Sequence, residues 1–202
     1  MKITRVQTVR KAVLLAGLIA GVALVAVTNS TYPAGERTHE TIEWVGIVLI
    51  VTCILGRTWA SLYIGGRKID KLVQNGPYSV CRNPLYFFSV IGAAGIGAQV
   101  GSITLALLCA VIALLVFAVV VVQEERLLRE RHGAAFAEYS ARVPRFLPNL
   151  RLWRDARTLT VHQLRVVRTF ADALIFLLSV PAAEVIELLQ EGGYLPVLLR
   201  LP

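Results

Sequence analysis

Four apolar runs, each close to the length that a bilayer requires, constrain this chain more than any other feature. They cover residues 12–28, 42–64, 84–100 and 102–122. A helix needs about 20 mostly apolar residues to cross the hydrocarbon core, and backbone in lipid must satisfy its hydrogen bonds within the helix. We therefore predict an all-α fold, a polytopic membrane helical bundle. Of the 202 residues, 56% are hydrophobic, which exceeds the content of soluble domains.

Two of these runs leave an alternative open. The run 12–28 follows four basic residues, as a secretory signal peptide would. It is longer than the apolar part of a signal peptide and no Ala-x-Ala cleavage site follows it, which favours a membrane span. The run 42–64 contains Arg57. This charge must face protein or water, or extend to the headgroups with Trp59 and Tyr63 beside it.

The basic residues predict the orientation in the membrane. Lys and Arg crowd the N-terminus, the connection 65–83 and the region 123–168, whereas the loop 29–41 contains only Arg37. The positive-inside rule places the first three in the cytoplasm and the loop outside, together with the turn at Gly101. We expect a bacterial inner-membrane protein with its N-terminus and active site cytoplasmic. The net charge of +8 suits anionic lipid headgroups, and we expect no nucleic-acid partner.

The sequence after the second span divides into a hairpin, a surface helix and an extension. Residues 84–122 form a transmembrane helical hairpin because Gly101 is almost the only connection between its two apolar runs. Apolar residues recur at helical spacing in 123–141, which predicts a cytosolic amphipathic helix. We assign 1–150 to a membrane core domain and 151–202 to an Arg-rich linker and C-terminal helical extension. Within the extension, residues 169–189 form either a fifth span or a kinked helix pair.

Cysteine and histidine spacing gives no indication of a metal or disulfide site. The three cysteines include no Cys-x-x-Cys pair. His39, His132 and His162 lie far apart in the sequence, without the regular spacing of metal ligands. We therefore predict no metal site.

The start of the hairpin carries polar residues at the membrane boundary. Asn83 is a favourable N-cap and Pro84 a favourable first helical residue. The free N–H groups of the first turn, with Arg82 beside them, would attract an anion. The alternative is a well-capped helix with an interfacial Tyr86.

The end of the hairpin carries Glu124 and Glu125. Both ends of a hairpin lie at the same membrane face, so these acids can be neighbours of the residues around Asn83. The place would then suit a zwitterionic ligand. The alternative is a solvated helix in which Glu125 pairs with Arg129.

These motifs occur together and in order: "NGPYSVCRNPLY", a hairpin of small residues, then "EERLLRERHGAAFAEYSARVPRFLP". Over about residues 56–150 the chain resembles the isoprenylcysteine carboxyl methyltransferase family, whose broader relatives are phospholipid N-methyltransferases. The resemblance implies S-adenosylmethionine bound at the cytosolic ends of the core helices. The implied cofactor-binding residues are Arg82, Asn83, Pro84, Tyr86, Glu124 and Glu125. The family has a histidine where this chain has Asn83, which cannot titrate.

The cofactor's chemistry suits these residues. Its ammonium matches Glu124 or Glu125, its carboxylate matches Arg82 and the helix N-terminus, and its adenine would lie against Tyr78 or Tyr86.

The methyl acceptor is expected to be lipophilic and to enter from the bilayer. A carboxylate is the first candidate because it needs no general base, and Arg142 or Arg145 could orient it. A phospholipid amine or a small thiol is the second candidate. The contrasting class is a non-catalytic membrane scaffold that binds anionic lipid.

Overall fold

The computed structural model describes residues 16–17, 19–64 and 72–202. These residues are mostly helical, which confirms the predicted all-α class. Six α-helices have both ends within these ranges: α1 Arg37–Ile64, α2 Pro77–Val80, α3 Pro84–Ala98, α4 Ile103–Arg142, α5 Gln163–Leu174 and α6 Ser179–Glu191. The predicted first span, 12–28, lies partly outside the described residues, and residues 19–27 of it are helical.

Helices α1 and α4 are each long and apolar enough to cross a membrane. Most of each apolar stretch is not buried in the protein. Large side chains such as Trp44 in α1 (67% exposed) and Leu107 in α4 (62% exposed) face outward. Apolar surface of this extent is typical of a membrane contact. The predicted spans 42–64 and 102–122 thus lie in two helices with lipid-compatible outer faces, and the chain is membrane-associated.

Helix α3 packs against both α1 and α4 and is the centre of the bundle. Its 15 residues extend about 22 Å, which is less than the hydrocarbon thickness of about 30 Å. Small residues let α1 and α3 approach closely. A Cβ atom added at Gly95 would lie 2.7 Å from the Gly46 carbonyl oxygen, so a larger side chain there would separate the helices.

Helix α4 continues well beyond the membrane-spanning segment. The predicted amphipathic helix 123–141 begins as a direct continuation of the membrane-spanning part of α4, and a kink at Gly133 then divides the range Ile103–Arg142 into two helices. The helical conformation is interrupted only at Gly133, which has φ 49° and ψ −119°. Beyond it, Phe136 and Tyr139 are buried. The break turns the last helical residues of α4 so that they can pack back onto the protein.

The C-terminal region packs against the core as a helix pair. Helix α5 contacts α1, and a 3-10 turn, Ile175–Leu178, joins it to α6. Pro181 lies in the first turn of α6, where its missing N–H is tolerated. A short parallel sheet, which the sequence does not predict, pairs β1 (Thr28–Ser30) with β2 (Leu199–Leu201).

Arg57 faces the protein rather than the headgroups. Its Nη1 donates to Ser89 Oγ on α3, and its guanidinium lies 6.0 Å from the ring centre of Phe176. The structure therefore favours the protein-facing alternative for this charge.

Candidate functional site

Backbone hydrogen bonds hold the segment before α3 against the chain that follows α4. The N–H of Arg82 donates to the carbonyl of Pro144 (2.9 Å), and the N–H of Asn149 donates to that of Val80 (2.9 Å). Cys81 Sγ lies 3.1 Å from the carbonyl oxygen of Phe146. Burial raises the pKa of the Cys81 thiol to about 11, so the thiol stays protonated. These contacts join the two conspicuous sequence motifs into one structural unit.

Arg82 and Glu125 form a two-pronged ion pair at this place. Arg82 Nε lies 2.9 Å from Glu125 Oε1, and Nη2 lies 3.3 Å from Oε2. Arg82 Nη1 donates to the carbonyls of Ser140 (2.6 Å) and Val143 (3.1 Å). Glu125 is only 4% exposed. The alternative of a solvated Glu125 paired with Arg129 is therefore wrong, because the folded chain places Arg82 beside this carboxylate.

Arg145 and Asn83 complete the shell around Glu125. Arg145 Nε and Nη2 lie 3.1 and 2.9 Å from Glu125 Oε2. Asn83 Nδ2 donates to Glu125 Oε1 (3.2 Å) and to the carbonyl of Arg145 (3.3 Å). A buried carboxylate is stable only with such partners. Because two guanidinium groups pair with one carboxylate, this group of side chains carries an excess positive charge. The Arg145 side chain is partly exposed to solvent.

Asn83 does not cap α3 with its side chain. Pro84 is the first residue of α3, as predicted, and Asn83 occupies the N-cap position. The Asn83 carbonyl accepts from the N–H groups of Tyr86 and Phe87 (both 3.1 Å), but its side chain makes no capping bond. The predicted side-chain cap is wrong, because the Asn83 side chain is oriented so that Nδ2 donates to the buried carboxylate of Glu125, and Oδ1 accepts from no N–H of the first turn.

Tyr86 connects α3 to the other acid of the pair. Its hydroxyl donates to Glu124 Oε1 (2.8 Å), and the centre of its ring lies 5.0 Å from the centre of the Phe117 ring. The two ends of the hairpin are thus in direct contact, as their positions in the sequence predict. Glu124 and Glu125 make different contacts, because adjacent helical residues point about 100° apart.

Tyr78 offers a buried polar atom beside this unit. Its hydroxyl has no hydrogen-bond partner within the described part of the chain, and the Tyr78 carbonyl accepts from the hydroxyl of Tyr139 (2.7 Å). Burial raises the pKa of Tyr78 well above its ordinary value, so the hydroxyl keeps its proton. A small cavity lies against Tyr78, Arg82 and Tyr139. The second motif contains Tyr139, but its spacing alone does not show that it positions Tyr78.

An open groove of about 700 Å³ is also lined by Arg82. Its basic lining residues are Arg82, Arg142 and Arg151. Arg142 is exposed and donates to Gln74 Oε1 (3.0 Å). Of the two arginines predicted to orient an acceptor, Arg142 lines this groove, whereas the guanidinium of Arg145 is engaged by Glu125.

Comparison with known proteins gives one family match and two similar relatives. The family model for phospholipid methyltransferase matches residues 41–135. The nickel-cobalt-cadmium resistance protein NccN of Alcaligenes xylosoxydans xylosoxydans is 39% identical over 158 residues, 78% of this chain and 74% of the relative. The cobalt-zinc-cadmium resistance protein CzcN of Cupriavidus metallidurans is 36% identical over 157 residues, 78% of this chain and 72% of the relative. No solved structure shows a significant match. By the family match and these identities, the chain belongs to the phospholipid methyltransferase family.

Proposed function

We propose that this protein transfers a methyl group from S-adenosylmethionine to a lipophilic acceptor, with a carboxylate as the first candidate. The observation that carries the proposal is the contact between the two ends of the hairpin. Arg82, Asn83 and Tyr86 meet Glu124 and Glu125 there. All five lie within the range that the family model matches.

The contacts divide the roles of the two acids. Glu125 already balances Arg82 and Arg145, so a cofactor ammonium could bind it only by displacing an arginine. We assign the ammonium to Glu124, which Tyr86 orients. Glu125 is then a positioning residue that holds Arg82 and Asn83.

The positive side of the site suits the cofactor carboxylate. Arg82 has five N–H donors, and four of them are directed to Glu125, Ser140 and Val143. The fifth, on Nη2, has no partner among the described residues and lies beside the N-terminus of α3, which favours an anion. The buried Tyr78 hydroxyl can donate to a polar atom of the adenosyl group, because an unpartnered buried hydroxyl is costly.

The chain's part in the reaction is to align the reactants and exclude water. S-adenosylmethionine supplies an electrophilic methyl group on a sulfonium. An in-line displacement needs alignment and a dry site. A carboxylate acceptor needs no proton removed, which agrees with Asn83 in place of a titratable residue. Arg142 in the groove could orient that carboxylate with two parallel hydrogen bonds.

Cofactor binding tests the assignment of Glu124. Isothermal titration calorimetry on the full chain in nanodiscs should show S-adenosylmethionine binding. Glu124→Gln should weaken it by about 1.5–3 kcal/mol, the contribution of a charged hydrogen bond, or roughly ten- to hundred-fold. Glu130→Gln is the matched control, since Glu130 lies on the same helix in an exposed pair with Arg126. Equal cofactor affinity in Glu124→Gln and Glu130→Gln would contradict the assignment of the ammonium to Glu124. If the wild-type protein did not bind S-adenosylmethionine, the non-catalytic membrane scaffold would be favoured instead.

The acceptor class can be read from the bond that carries the label. Membranes incubated with methyl-labelled cofactor should yield label that base converts to methanol, because methyl esters hydrolyse whereas N-methyl and S-methyl groups do not. Arg142→Gln should reduce transfer while leaving cofactor affinity unchanged. Base-stable label would indicate the amine or thiol acceptor instead.

The names of the relatives favour a physiological context for the same activity. Both are named as metal resistance proteins, and we propose that methyl transfer by this chain contributes to resistance to such divalent cations. In medium that contains Co²⁺ or Cd²⁺, a sensitive bacterial host should grow better when it expresses the wild-type protein than when it expresses Glu124→Gln at the same level. Equal protection by both would separate resistance from methyl transfer.

A further inference from the structure

A cluster of three potential metal ligands lies at the opposite end of α3 from Arg82. His39 and Glu43 are one helical turn apart on α1, and Glu187 comes from α6. The imidazole nitrogen and the two carboxylate oxygens all lie within 4.8 Å of one another. His39 is only 3% exposed. Neither helix shows a metal motif in sequence, because the ligands come from distant elements.

The hydrogen bonding of His39 orients its ring for coordination. Its Nδ1 lies 3.0 Å from the carbonyl oxygen of Tyr32. A carbonyl can only accept, so Nδ1 carries the proton. Nε2 faces the Glu43 carboxylate, and in the neutral ring its lone pair is available to a cation held between them. Histidine ligands of metals usually have this outer hydrogen bond to a carbonyl or carboxylate.

The turn between α3 and α4 holds the cluster in place. Gly101 in this turn has a φ of 66°, and a Cβ atom there would collide with the imidazole of His39. Gln99 in the same turn donates its side-chain amide to the Glu43 carbonyl (3.1 Å). The ring and the first turn of α1 are therefore fixed by packing, independently of any ligand.

We propose that His39 Nε2, Glu43 and Glu187 bind a divalent transition-metal ion, with water completing the coordination. His39 Nε2 lies 3.3 Å from Glu43 Oε1. Ligands about 2.0–2.1 Å from a tetrahedral metal are roughly 3.3 Å apart, so the separation of these two atoms already matches that of two ligands of one ion. One imidazole and two carboxylates suit zinc, cobalt or nickel, whereas an all-oxygen set would suit magnesium or calcium.

Metal binding would connect the C-terminal region to the membrane core. Glu187 is on α6, and β2 follows that helix to pair with β1. A shared ion would add a strong link between α1 and α6 at this end of the bundle. The site is separate from the proposed methyl-transfer site, so either can be tested without the other.

The test uses the full chain in nanodiscs, stripped of metal with a chelator and titrated with Co²⁺. Visible d–d absorption should appear and saturate at one ion per chain. Glu187→Gln and Glu43→Gln should each weaken Co²⁺ binding by more than ten-fold, since losing even an outer-shell partner costs about ten- to hundred-fold. Glu184→Gln, an exposed acid on the same helix, is the matched control and should retain the wild-type spectrum.

Thermal unfolding gives a second readout. Co²⁺ should raise the unfolding temperature of wild type and Glu184→Gln, but not of Glu187→Gln. Absence of d–d bands in wild type, or equal Co²⁺ affinity in Glu187→Gln, overturns the proposal and leaves His39 as a hydrogen-bonding partner of Tyr32 and Glu43. Unchanged S-adenosylmethionine affinity in Glu187→Gln would show that its loss of Co²⁺ binding is local.

Discussion

At the residue scale, the clearest consequence concerns Glu125, which balances two guanidinium groups while buried. Glu125→Gln removes the charge and leaves Arg82 without its ionic partner. Breaking a buried pair from one side costs about 3–5 kcal/mol. We therefore expect a clearly lower unfolding temperature in nanodiscs.

The control for this change is Glu130→Gln on the same helix. The Glu130–Arg126 pair is exposed, and such pairs contribute at most about 1 kcal/mol. Similar unfolding temperatures for Glu125→Gln and Glu130→Gln would show that the ion pairs around Glu125 do not stabilise the fold.

The substitution Asn83→Asp distinguishes two possible roles of Asn83, that of a helix cap and that of a hydrogen-bond donor to Glu125. Aspartate caps helices as well as asparagine does, so a cap would tolerate the change. In the structure the Asn83 amide donates to Glu125 (3.2 Å). An aspartate would place a second carboxylate there, with like-charge repulsion in a buried site. We expect Asn83→Asp to unfold at a lower temperature than wild type.

Asn83→His is the informative comparison for that variant. Histidine stands at this position in the family that the motif resembles, and a ring N–H can donate to Glu125 as the amide does. We expect Asn83→His to be more stable than Asn83→Asp. The reverse order would mean that capping matters more than donation to Glu125.

At the element scale, α4 depends on one backbone conformation at Gly133. Its φ of 49° is one that other residues rarely adopt, and no atom lies within 4 Å of an added Cβ. Gly133→Ala should therefore lower the free energy of unfolding by about 1–3 kcal/mol through backbone strain alone. Unfolding of the purified protein measures this effect.

Gly21 provides a matched position for the same substitution. It is helical, and an added Cβ also meets nothing within 4 Å. Gly21→Ala should leave the free energy of unfolding unchanged or raise it by about 0.5–1 kcal/mol, because alanine favours the helical conformation more than glycine does. If both variants behaved alike, the break at Gly133 would not be required by the fold.

At the scale of the whole molecule, we predict that the two ends of the bundle lie on opposite sides of the membrane. Thr38 is near the start of α1 and Glu138 near the end of α4, and both are exposed. Cysteines at these positions should react with a membrane-impermeant thiol reagent from opposite sides, with Glu138 cytoplasmic. The three native cysteines are buried and should stay unlabelled. Labelling from one side would contradict the orientation proposed for the site.

The sequence by itself determined the helical class, the start of α3 and the proximity of the two motifs. These features follow from local rules. Apolar runs must form helices in lipid, proline favours the first helical turn, and a hairpin brings its two ends to one face. The contact between Tyr86 and Glu124 is therefore understandable from positions along the chain.

Only the tertiary structure decided which partner each polar side chain uses. The amide of Asn83 binds Glu125 rather than the helix N–H groups, because a buried carboxylate without donors costs more than an unfilled cap. The grouping of His39 and Glu43 with Glu187 joins elements from opposite ends of the chain. Hydrogen bonds and charges act over a few ångströms in space, whatever the separation in sequence, so spacing along the chain could not reveal these partners.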